Sequence, residues 1–324
     1  MLLTRTLRTL PRSQTYNAIR TLSTGAPDIQ RLTVFGGGLM GAGIAQVAAQ
    51  AGLKVAIADL SDQALENSRN IITKSLTRIA RKKNPDDSAA QKQFVDGVFA
   101  NLTTTTSAQE AIADSDLVIE AIVENLATKQ ELFRRLDGMA DPKTIFASNT
   151  SSLSIRKIAE VCSDDRRKRF SGVHAFNPVP QMKLIEIIST SETQPEITEA
   201  LLDLCKRMGK TPVQCADTPG FIVNRLLVPY LLEAIRMVER GDATAADIDT
   251  AMKLGAGVPM GPLELSDFVG LDTLSHIARG WREERVQTGE IDAKQVEEIK
   301  ILDKLVSEGK KGRKSGEGFF NYSS

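Results

Sequence analysis

A glycine-rich turn between an apolar run and a helical pattern constrains the fold of this chain more than any other feature. The run occupies residues 31–35, and the helical pattern occupies residues 39–51. Gly36, Gly38 and Gly41 have the spacing G-x-G-x-x-G. The first glycine of such a turn permits a tight bend, the second lets the backbone approach a pyrophosphate, and the third lets the helix pack on the strand. Because the helix N-terminus adds free N–H groups and partial positive charge, the pattern predicts a dinucleotide-binding unit.

A carboxylate after the next apolar run indicates which dinucleotide binds. The run at residues 54–58 ends in Asp59, 18 residues after Gly41. This is close to the roughly 20 residues expected for the carboxylate that binds the adenosine ribose. Such a carboxylate accepts hydrogen bonds from the ribose hydroxyls and repels a 2′-phosphate, so the pattern favours NAD over NADP. The alternative is a plain strand–helix–strand turn without a ligand.

The composition excludes several classes of protein. The chain has 324 residues, 41% of them hydrophobic, which is enough for two domains with ordinary cores. Lysine plus arginine and aspartate plus glutamate both total 41, so no overall charge favours nucleic acid or a membrane surface. No apolar run approaches the roughly 18 residues of a membrane span. The three cysteines have the spacing of neither a disulfide framework nor a zinc site. We therefore expect a soluble globular protein without a metal.

The first 27 residues have the composition of a targeting segment. They contain four arginines, many serines and threonines, scattered leucines and no acidic residue. Such segments form a cationic amphipathic helix on an import receptor and are then removed. We expect a mitochondrial transit segment at residues 1–27 and a mature protein in the matrix. A basic tail that carries no address is the alternative.

Short apolar runs alternate with helical patterns along most of the chain. Beyond the two runs described above, they occupy residues 116–121, 144–147, 170–174 and 184–188. This alternation predicts an α/β domain at residues 28–216, with a doubly wound, mostly parallel Rossmann-type sheet. From residue 217 onward the patterns are helical, and we expect an all-helical domain at residues 217–324. Its helices are predicted to start at Pro219, capped by Thr218, and after Thr244 and Gly261.

Two helical segments have features beyond core packing. The excursion at residues 61–97 reads as two helices with a break at residues 84–87, and the first ends in a cationic turn with Lys82. That turn either complements the helix dipole or binds a polyanionic ligand such as a coenzyme tail. The apolar face of residues 226–238 either contacts a second copy in a homodimer or packs within its own chain.

One histidine stands where a doubly wound sheet exposes functional side chains. His174 ends a predicted strand and comes directly before a proline-rich turn, whereas His276 lies in a helical pattern and is interpreted as structural or exposed. Glu186 lies in a strand that should return beside the first, between two isoleucines. A buried carboxylate needs a partner, and an imidazole N–H would satisfy it. An imidazole with a pKa near neutrality can accept the proton of an alcohol during its oxidation, so this pair is typical of a dehydrogenase.

Hydroxyl and amide groups follow two further elements. They lie at residues 148–152, after a predicted strand, and at Asn224, near the start of the helical domain. These groups could hold a substrate oxygen as it becomes a carbonyl, although each alone is an ordinary loop or capping residue.

Five strings of residues occur in the order expected of one family. They are G-G-G-L-M-G-A-G-I-A, E-A-I-V-E-N, S-N-T-S-S-L, H-A-F-N-P-V-P-Q-M-K-L-I-E and D-T-P-G-F-I-V-N-R-L-L. From about residue 30 to Gly318 the chain resembles the short-chain L-3-hydroxyacyl-CoA dehydrogenases of mitochondrial fatty-acid oxidation. Ala175 departs from the pattern, because many relatives carry an aromatic residue directly after the histidine.

The resemblance implies a role for each matching residue. It implies that His174 is the general base, that Glu186 orients it, and that Ser151 and Asn224 contact the substrate. The coenzyme A portion would contact Ser75 and Lys82, which favours the ligand interpretation of the cationic turn. The implied NAD contacts are Gly36, Gly37, Gly38, Leu39, Met40, Gly41, Asp59, Glu124, Lys129, Asn177 and Lys314.

The activity implied is oxidation of a (3S)-3-hydroxyacyl-CoA to the 3-oxo compound with NAD as hydride acceptor. Two other interpretations stay open at this stage. One is a hydroxy-acid or sugar-acid dehydrogenase of similar architecture, which would not depend on a coenzyme A tail. The other is a protein that binds NAD without a catalytic role.

Overall fold

The computed structural model describes residues 25–322, so the predicted transit segment lies outside the described residues except for its last three. One eight-stranded sheet forms the centre of the N-terminal part. Its strands are β1 (Arg31–Phe35), β2 (Lys54–Ala58), β3 (Leu102–Thr105), β4 (Leu117–Glu120), β5 (Ile145–Ser148), β6 (Phe170–Ala175), β7 (Leu184–Ser189) and β8 (Thr211–Ala216).

The order of the strands across the sheet is β3-β2-β1-β4-β5-β6-β7-β8. All neighbouring strands are parallel except β6 and β7, which pair antiparallel. The predicted doubly wound, mostly parallel sheet is confirmed. The strand order reverses between β1 and β4, and their carboxyl ends open the crevice where such folds bind ligands.

Helices cover both faces of the sheet. They are α1 (Leu39–Gln50), α2 (Asp62–Lys83), α3 (Ser88–Phe99), α4 (Ala108–Ile112), α5 (Leu126–Asp137), α6 (Ile155–Ala159), α7 (Asp164–Arg167) and α8 (Pro195–Arg207). Along β4, Leu117 and Ile119 join one apolar cluster and Val118 joins the other. Successive side chains of a strand point to opposite faces, so a strand buried on both sides is apolar throughout, as the short runs in the sequence indicated.

Two edge strands have no counterpart among the predicted runs. β3 is rich in threonine and only partly buried, and β8 contains Pro212 and alternates between half-buried and exposed positions. An edge strand needs neither a continuous apolar run nor a full set of N–H donors. The apolar pattern therefore identifies only the six strands between these edges.

The predicted helical pair after β2 is present as α2 and α3, with a break at residues 84–87. Ser61 caps α2 by accepting a hydrogen bond from the Ala64 N–H, and Asp87 caps α3 in the same way at the Ala90 N–H.

The C-terminal part is helical from residue 223 onward. It contains α9 (Val223–Arg240), α10 (Ala245–Gly255), α11 (Pro262–Val269), α12 (Leu271–Glu284) and α13 (Lys300–Ser307), with two short 3₁₀ turns. Thr244 caps α10 and Pro262 opens α11, as predicted. Across residues 25–322, no helix combines the length and apolar character that a bilayer span requires.

The predicted start of the first of these helices is wrong. We expected it at Pro219 with Thr218 as its cap, but α9 begins at Val223. Gly220 and Phe221 have φ angles of +76° and +56°, in the left-handed region, so the chain bends sharply before the helix begins.

Candidate active site

The glycine turn after β1 has the packing that its sequence predicts. A Cβ on Gly36, whose φ is +96°, would lie 2.6 Å from the Ala121 carbonyl oxygen at the end of β4. At Gly38 a Cβ would meet no atom within 4 Å. The first glycine therefore permits the turn to pass close to β4, and the second leaves its backbone open to an approaching group. The turn fits a bound pyrophosphate.

Asp59 follows β2 directly and borders the same crevice. Its carboxylate accepts a hydrogen bond from the N–H of Gly37 and another from the N–H of Leu60, both at 2.7 Å. A cavity of about 740 Å³ opens beside it, lined mainly by apolar side chains that include Ala121 and Ile122. A carboxylate at the edge of an apolar cavity suits an adenosine, whose ring needs an apolar wall and whose ribose needs an acceptor.

His174 and Glu186 lie opposite each other in the antiparallel pair β6–β7. The Nδ1 of His174 is 2.7 Å from Oε2 of Glu186, and both side chains are buried. Because a carboxylate only accepts hydrogen bonds, Nδ1 is the nitrogen that donates to Glu186, and Nε2 is left to face the substrate side. The hydroxyl of Ser151 lies 3.0 Å from that Nε2. The geometry therefore directs the second ring nitrogen of His174 at a hydroxyl group.

The second oxygen of Glu186 binds the start of the helical part. Its Oε1 accepts hydrogen bonds from the N–H groups of Ile222 and Val223 at 3.0 and 2.9 Å. Burial raises the pKa of Glu186, but the hydrogen bond and charge of His174 and these two N–H groups outweigh burial and hold the pKa below its usual value. Glu186 is therefore an anion whose two oxygens both have partners.

Ser151 lies in the loop after β5, and Glu124 binds the backbone of this loop. Oε1 of Glu124 accepts hydrogen bonds from the N–H groups of Ser151 and Ser152 at 3.0 and 3.2 Å. Burial raises the pKa of Glu124. The charge of Lys129 and the hydrogen bonds from Thr150 and Ser151 lower that pKa by more than burial raises it, so the pKa of Glu124 is below its usual value.

From the other side, the amide of Asn224 at the start of α9 donates to the Ser151 carbonyl at 3.3 Å. The structure therefore brings together His174, Glu186, Ser151 and Asn224, the four residues that sequence reasoning placed at the reacting centre.

Two buried charges support this centre, and sequence reasoning assigned them no such role. The carboxylate of Glu120, at the end of β4, lies 2.5 Å from Nζ of Lys129 and accepts a 2.6 Å hydrogen bond from the Ser148 hydroxyl. Lys129 is 1% exposed and also pairs with Glu124 at 3.2 Å. Its ammonium thus positions Glu124, whereas its contact with a cofactor stays a prediction. The pattern of a buried strand followed by Glu was the one signal that could have identified Glu120.

Lys210 binds the turn that follows His174, and this turn contains Asn177. The Lys210 ammonium donates to the carbonyl oxygens of Val179 and Met182, the latter at 2.8 Å. Burial, with the nearby charge of Lys183, lowers the pKa of Lys210. Nothing in the local sequence distinguishes this lysine from a surface lysine, because its partners lie about thirty residues earlier in the chain.

Two family models together match nearly all of the described chain. The model described as 3-hydroxyacyl-CoA dehydrogenase, NAD binding domain, matches residues 31–218, and the model for the C-terminal domain of the same family matches residues 220–322. The chain belongs to the 3-hydroxyacyl-CoA dehydrogenase family. It is an NAD-dependent oxidoreductase.

Individual relatives agree with the family assignment. The chain is 53% identical to the mitochondrial hydroxyacyl-coenzyme A dehydrogenase of Homo sapiens over 296 residues, which is 91% of each chain. It is 42% identical to the probable 3-hydroxybutyryl-CoA dehydrogenase of Bacillus subtilis, over 91% of this chain and 98% of the relative. A crystal structure of (S)-3-hydroxybutyryl-CoA dehydrogenase from Ralstonia eutropha matches with a TM-score of 0.83 and 37% identity, covering 92% of this chain and all of that one.

The remaining residues that the dehydrogenase family implies lie away from these contacts. Ser75 and Lys82 are seven residues apart on α2, so they lie about 20° apart around the helix axis. Lys82 is exposed and Ser75 is half-buried. The ammonium of Lys314 lies 2.5 Å from Asp272 in the helical part. The roles of these three residues stay predictions.

Ala175 is the departure from the family pattern, and it is buried beside His174. Its N–H donates to the side-chain oxygen of Asn149 at 2.9 Å, so the backbone here is held without a large side chain. His276 is exposed on α12, as its helical pattern indicated. Among residues 25–322, no cluster of His, Cys, Asp and Glu could hold a metal ion.

Proposed function

We propose that this dehydrogenase oxidises the 3-hydroxyl of a (3S)-3-hydroxyacyl-CoA to the 3-oxo compound, with His174 as general base and Glu186 as its partner. The observation that carries the proposal is the buried His174–Glu186 pair, 2.7 Å apart, with the free imidazole nitrogen at the Ser151 hydroxyl. The names of the human and Bacillus relatives support the same substrate class.

Each residue of the centre has a task that follows from its contacts. Nε2 of His174 accepts the proton of the substrate hydroxyl, and Glu186 stabilises the imidazolium that forms. The Ser151 hydroxyl and the Asn224 amide orient the substrate oxygen as it becomes a carbonyl. NAD supplies the acceptor for the hydride when it is bound. The turn Gly36–Gly41, which includes Gly37, Leu39 and Met40, would bind the pyrophosphate of NAD. Asp59 would bind its ribose. The other proposed cofactor contacts are Glu124, Lys129, Asn177 and Lys314.

The coenzyme A portion is proposed to contact Ser75 and Lys82 on α2. The test of the substrate class is an NADH absorbance assay with acetoacetyl-CoA and with free acetoacetate. We expect rapid NADH oxidation with the thioester and little with the free acid. Equal rates with the two substrates would instead indicate a hydroxy-acid dehydrogenase of similar fold.

The variant Lys82→Ala tests the proposed coenzyme A contact in the same assay. A lysine–phosphate contact is a charge-assisted hydrogen bond, and its loss should raise KM for acetoacetyl-CoA about tenfold. KM for a truncated thioester that lacks the nucleotide should not change. Lys92→Ala is the matched control, because it removes an exposed lysine that pairs with Asp96 on the neighbouring helix α3. If Lys82→Ala and Lys92→Ala have the same KM, the proposed coenzyme A contact is wrong.

A homodimer is proposed for this chain, with the helical domain at residues 217–324 as the contact. The structure packs Leu231, Leu232 and Ile235 of α9 within their own chain, so that face is not free for a second copy. Other apolar side chains of this part are exposed: Leu226, Leu254, Phe268 and Val269. Sedimentation equilibrium should give twice the chain mass, and Phe268→Asp should lower it; a single-chain mass for the unmodified protein would refute the dimer.

The mitochondrial matrix, with fatty-acid β-oxidation as the pathway, is the proposed location. Residues 1–27 have the composition of a transit segment, and several relatives carry the word mitochondrial in their names. Import into isolated mitochondria should shorten the chain by about this segment.

A further inference from the structure

Phe221, between β8 and α9, has an unusual backbone conformation. Its φ is +56°, and within residues 25–322 it is the one residue other than glycine with a positive φ. In this region the Cβ of an L-residue crowds its own backbone, so a bulky side chain there is strained. Such strain persists only where the surroundings impose it, and it clusters at functional sites.

The bend at Phe221 directs the start of α9 at Glu186. The N–H groups of Ile222 and Val223 follow the bend and donate to Oε1 of Glu186 at 3.0 and 2.9 Å. The first N–H groups of a helix have no partner within it, and the residue before α9 provides no side-chain cap. Glu186 therefore caps α9 with one oxygen while the other binds His174.

The ring of Phe221 lies against the imidazole that Glu186 holds. The ring centroids of Phe221 and His174 are 5.5 Å apart, with an interplanar angle of 58°, and Phe176 contacts the imidazole at 4.5 Å. Phe221 is 4% exposed. Two aromatic rings thus restrict the orientation of the imidazole, and glycine at position 221 would supply the bend without one of them.

Residues of the helical part pack against the other side of the same bend. A Cβ on Gly220 would lie 2.6 Å from Cζ2 of Trp281, a residue of α12. It would also lie 2.8 Å from the N atom of Arg225 in α9. The bend is therefore packed between the indole of one helix and the His174–Glu186 pair of the sheet.

We propose that Phe221 is a positioning residue for the reaction: its left-handed backbone places the α9 N-terminus on Glu186, and its ring fixes the plane of the His174 imidazole. It acts through these two residues and touches no reacting atom. The inference rests on the proposed function, in which His174 is the base.

Two substitutions, compared with each other, distinguish the effect of the bend from the effect of the ring: both remove the ring, and only one disfavours the bend. Phe221→Gly keeps the bend and removes the ring, whereas Phe221→Ile keeps apolar bulk but has a β-branched side chain that resists positive φ. A small displacement of a catalytic group is costly, so we expect each variant to lower kcat for acetoacetyl-CoA reduction by about 10- to 100-fold. KM for both substrates should stay within about threefold of wild type, since binding contacts are retained.

A readout independent of turnover is the low-field proton resonance of the His174 Nδ1–H. Only two histidines are present, and His276→Gln, at an exposed position, identifies the signal by leaving it in place. The Phe221 variants should shift or broaden this resonance. Phe133→Leu is the control: it changes a phenylalanine of the same apolar cluster, on α5, and should lower stability without altering kcat or the resonance.

Wild-type kcat or an unchanged resonance in both folded Phe221 variants would overturn the inference. So would kcat and resonance changes of the same size in Phe133→Leu, because they would show a general loss of packing. An inactive wild type would instead refute the proposed function, and the resonance would then report only whether Phe221 orients the His174 imidazole.

Discussion

His174→Gln is expected to lower kcat for acetoacetyl-CoA by about three orders of magnitude, within the range for loss of a general acid–base group. In the proposed mechanism, taken in the reductive direction, His174 would be the acid that protonates the new alkoxide, and a glutamine amide cannot supply that proton. The amide does retain a donor for Glu186 and a size close to that of imidazole, so the fold should persist. NADH affinity, measured by fluorescence titration, should stay near wild type because no contact of His174 involves the glycine turn.

His276→Gln is the matched control for this experiment. His276 is the other histidine of the chain and is exposed on α12, so its replacement should leave kcat unchanged. Should His174→Gln retain more than about a tenth of wild-type kcat, His174 would not be the base, since a general acid–base group typically contributes at least a hundredfold.

The sequence predicts this pair because its geometry is local. His174 and Glu186 are twelve residues apart in two apolar strands joined by a proline-rich turn, and the antiparallel pairing follows from the shortness of the connection. The glycine turn is equally local. Short apolar runs and helical patterns likewise predict the central strands and the start of α10.

The contacts that support this pair could not be predicted from the sequence, because the residues that form them are distant from one another along the chain. The Val179 carbonyl, which is a partner of Lys210, is 31 residues away from it, and the N–H groups that bind Glu186 are 36 and 37 residues away. The strain at Phe221 arises because these contacts fix the chain on both sides. The sequence pattern around Pro219 predicts a helix start by itself, and only the tertiary contacts of the bend move that start to Val223.

Glu186→Gln is expected to reduce both turnover and stability. A glutamine has one acceptor oxygen where the carboxylate has two, so its NH₂ group must face either His174 Nδ1–H or the N–H groups of Ile222 and Val223. In the first case the imidazole tautomer is no longer fixed, which should lower kcat about a hundredfold or more. In the second case α9 loses its cap. Either orientation removes a buried hydrogen bond and the negative charge beside the imidazole, so the free energy of unfolding should fall by about 2 kcal/mol and kcat should fall as well.

The pH dependence distinguishes a charge effect from a packing effect at Glu186. Because the pKa of Glu186 is lowered in the folded protein, the unfolded chain binds the extra proton first as pH falls. The stability that the carboxylate contributes is therefore complete above the unfolded pKa of about 4.3 and is lost as pH falls through the lower folded value. Urea unfolding of wild type and Glu186→Gln should differ at pH 7 and converge in acid, while Glu199→Gln, an exposed change on α8, should match wild type at both pH values. A stability difference that is the same at both pH values would mean that Glu186 acts through its shape, and the anionic carboxylate required by the His174 mechanism would lose its support.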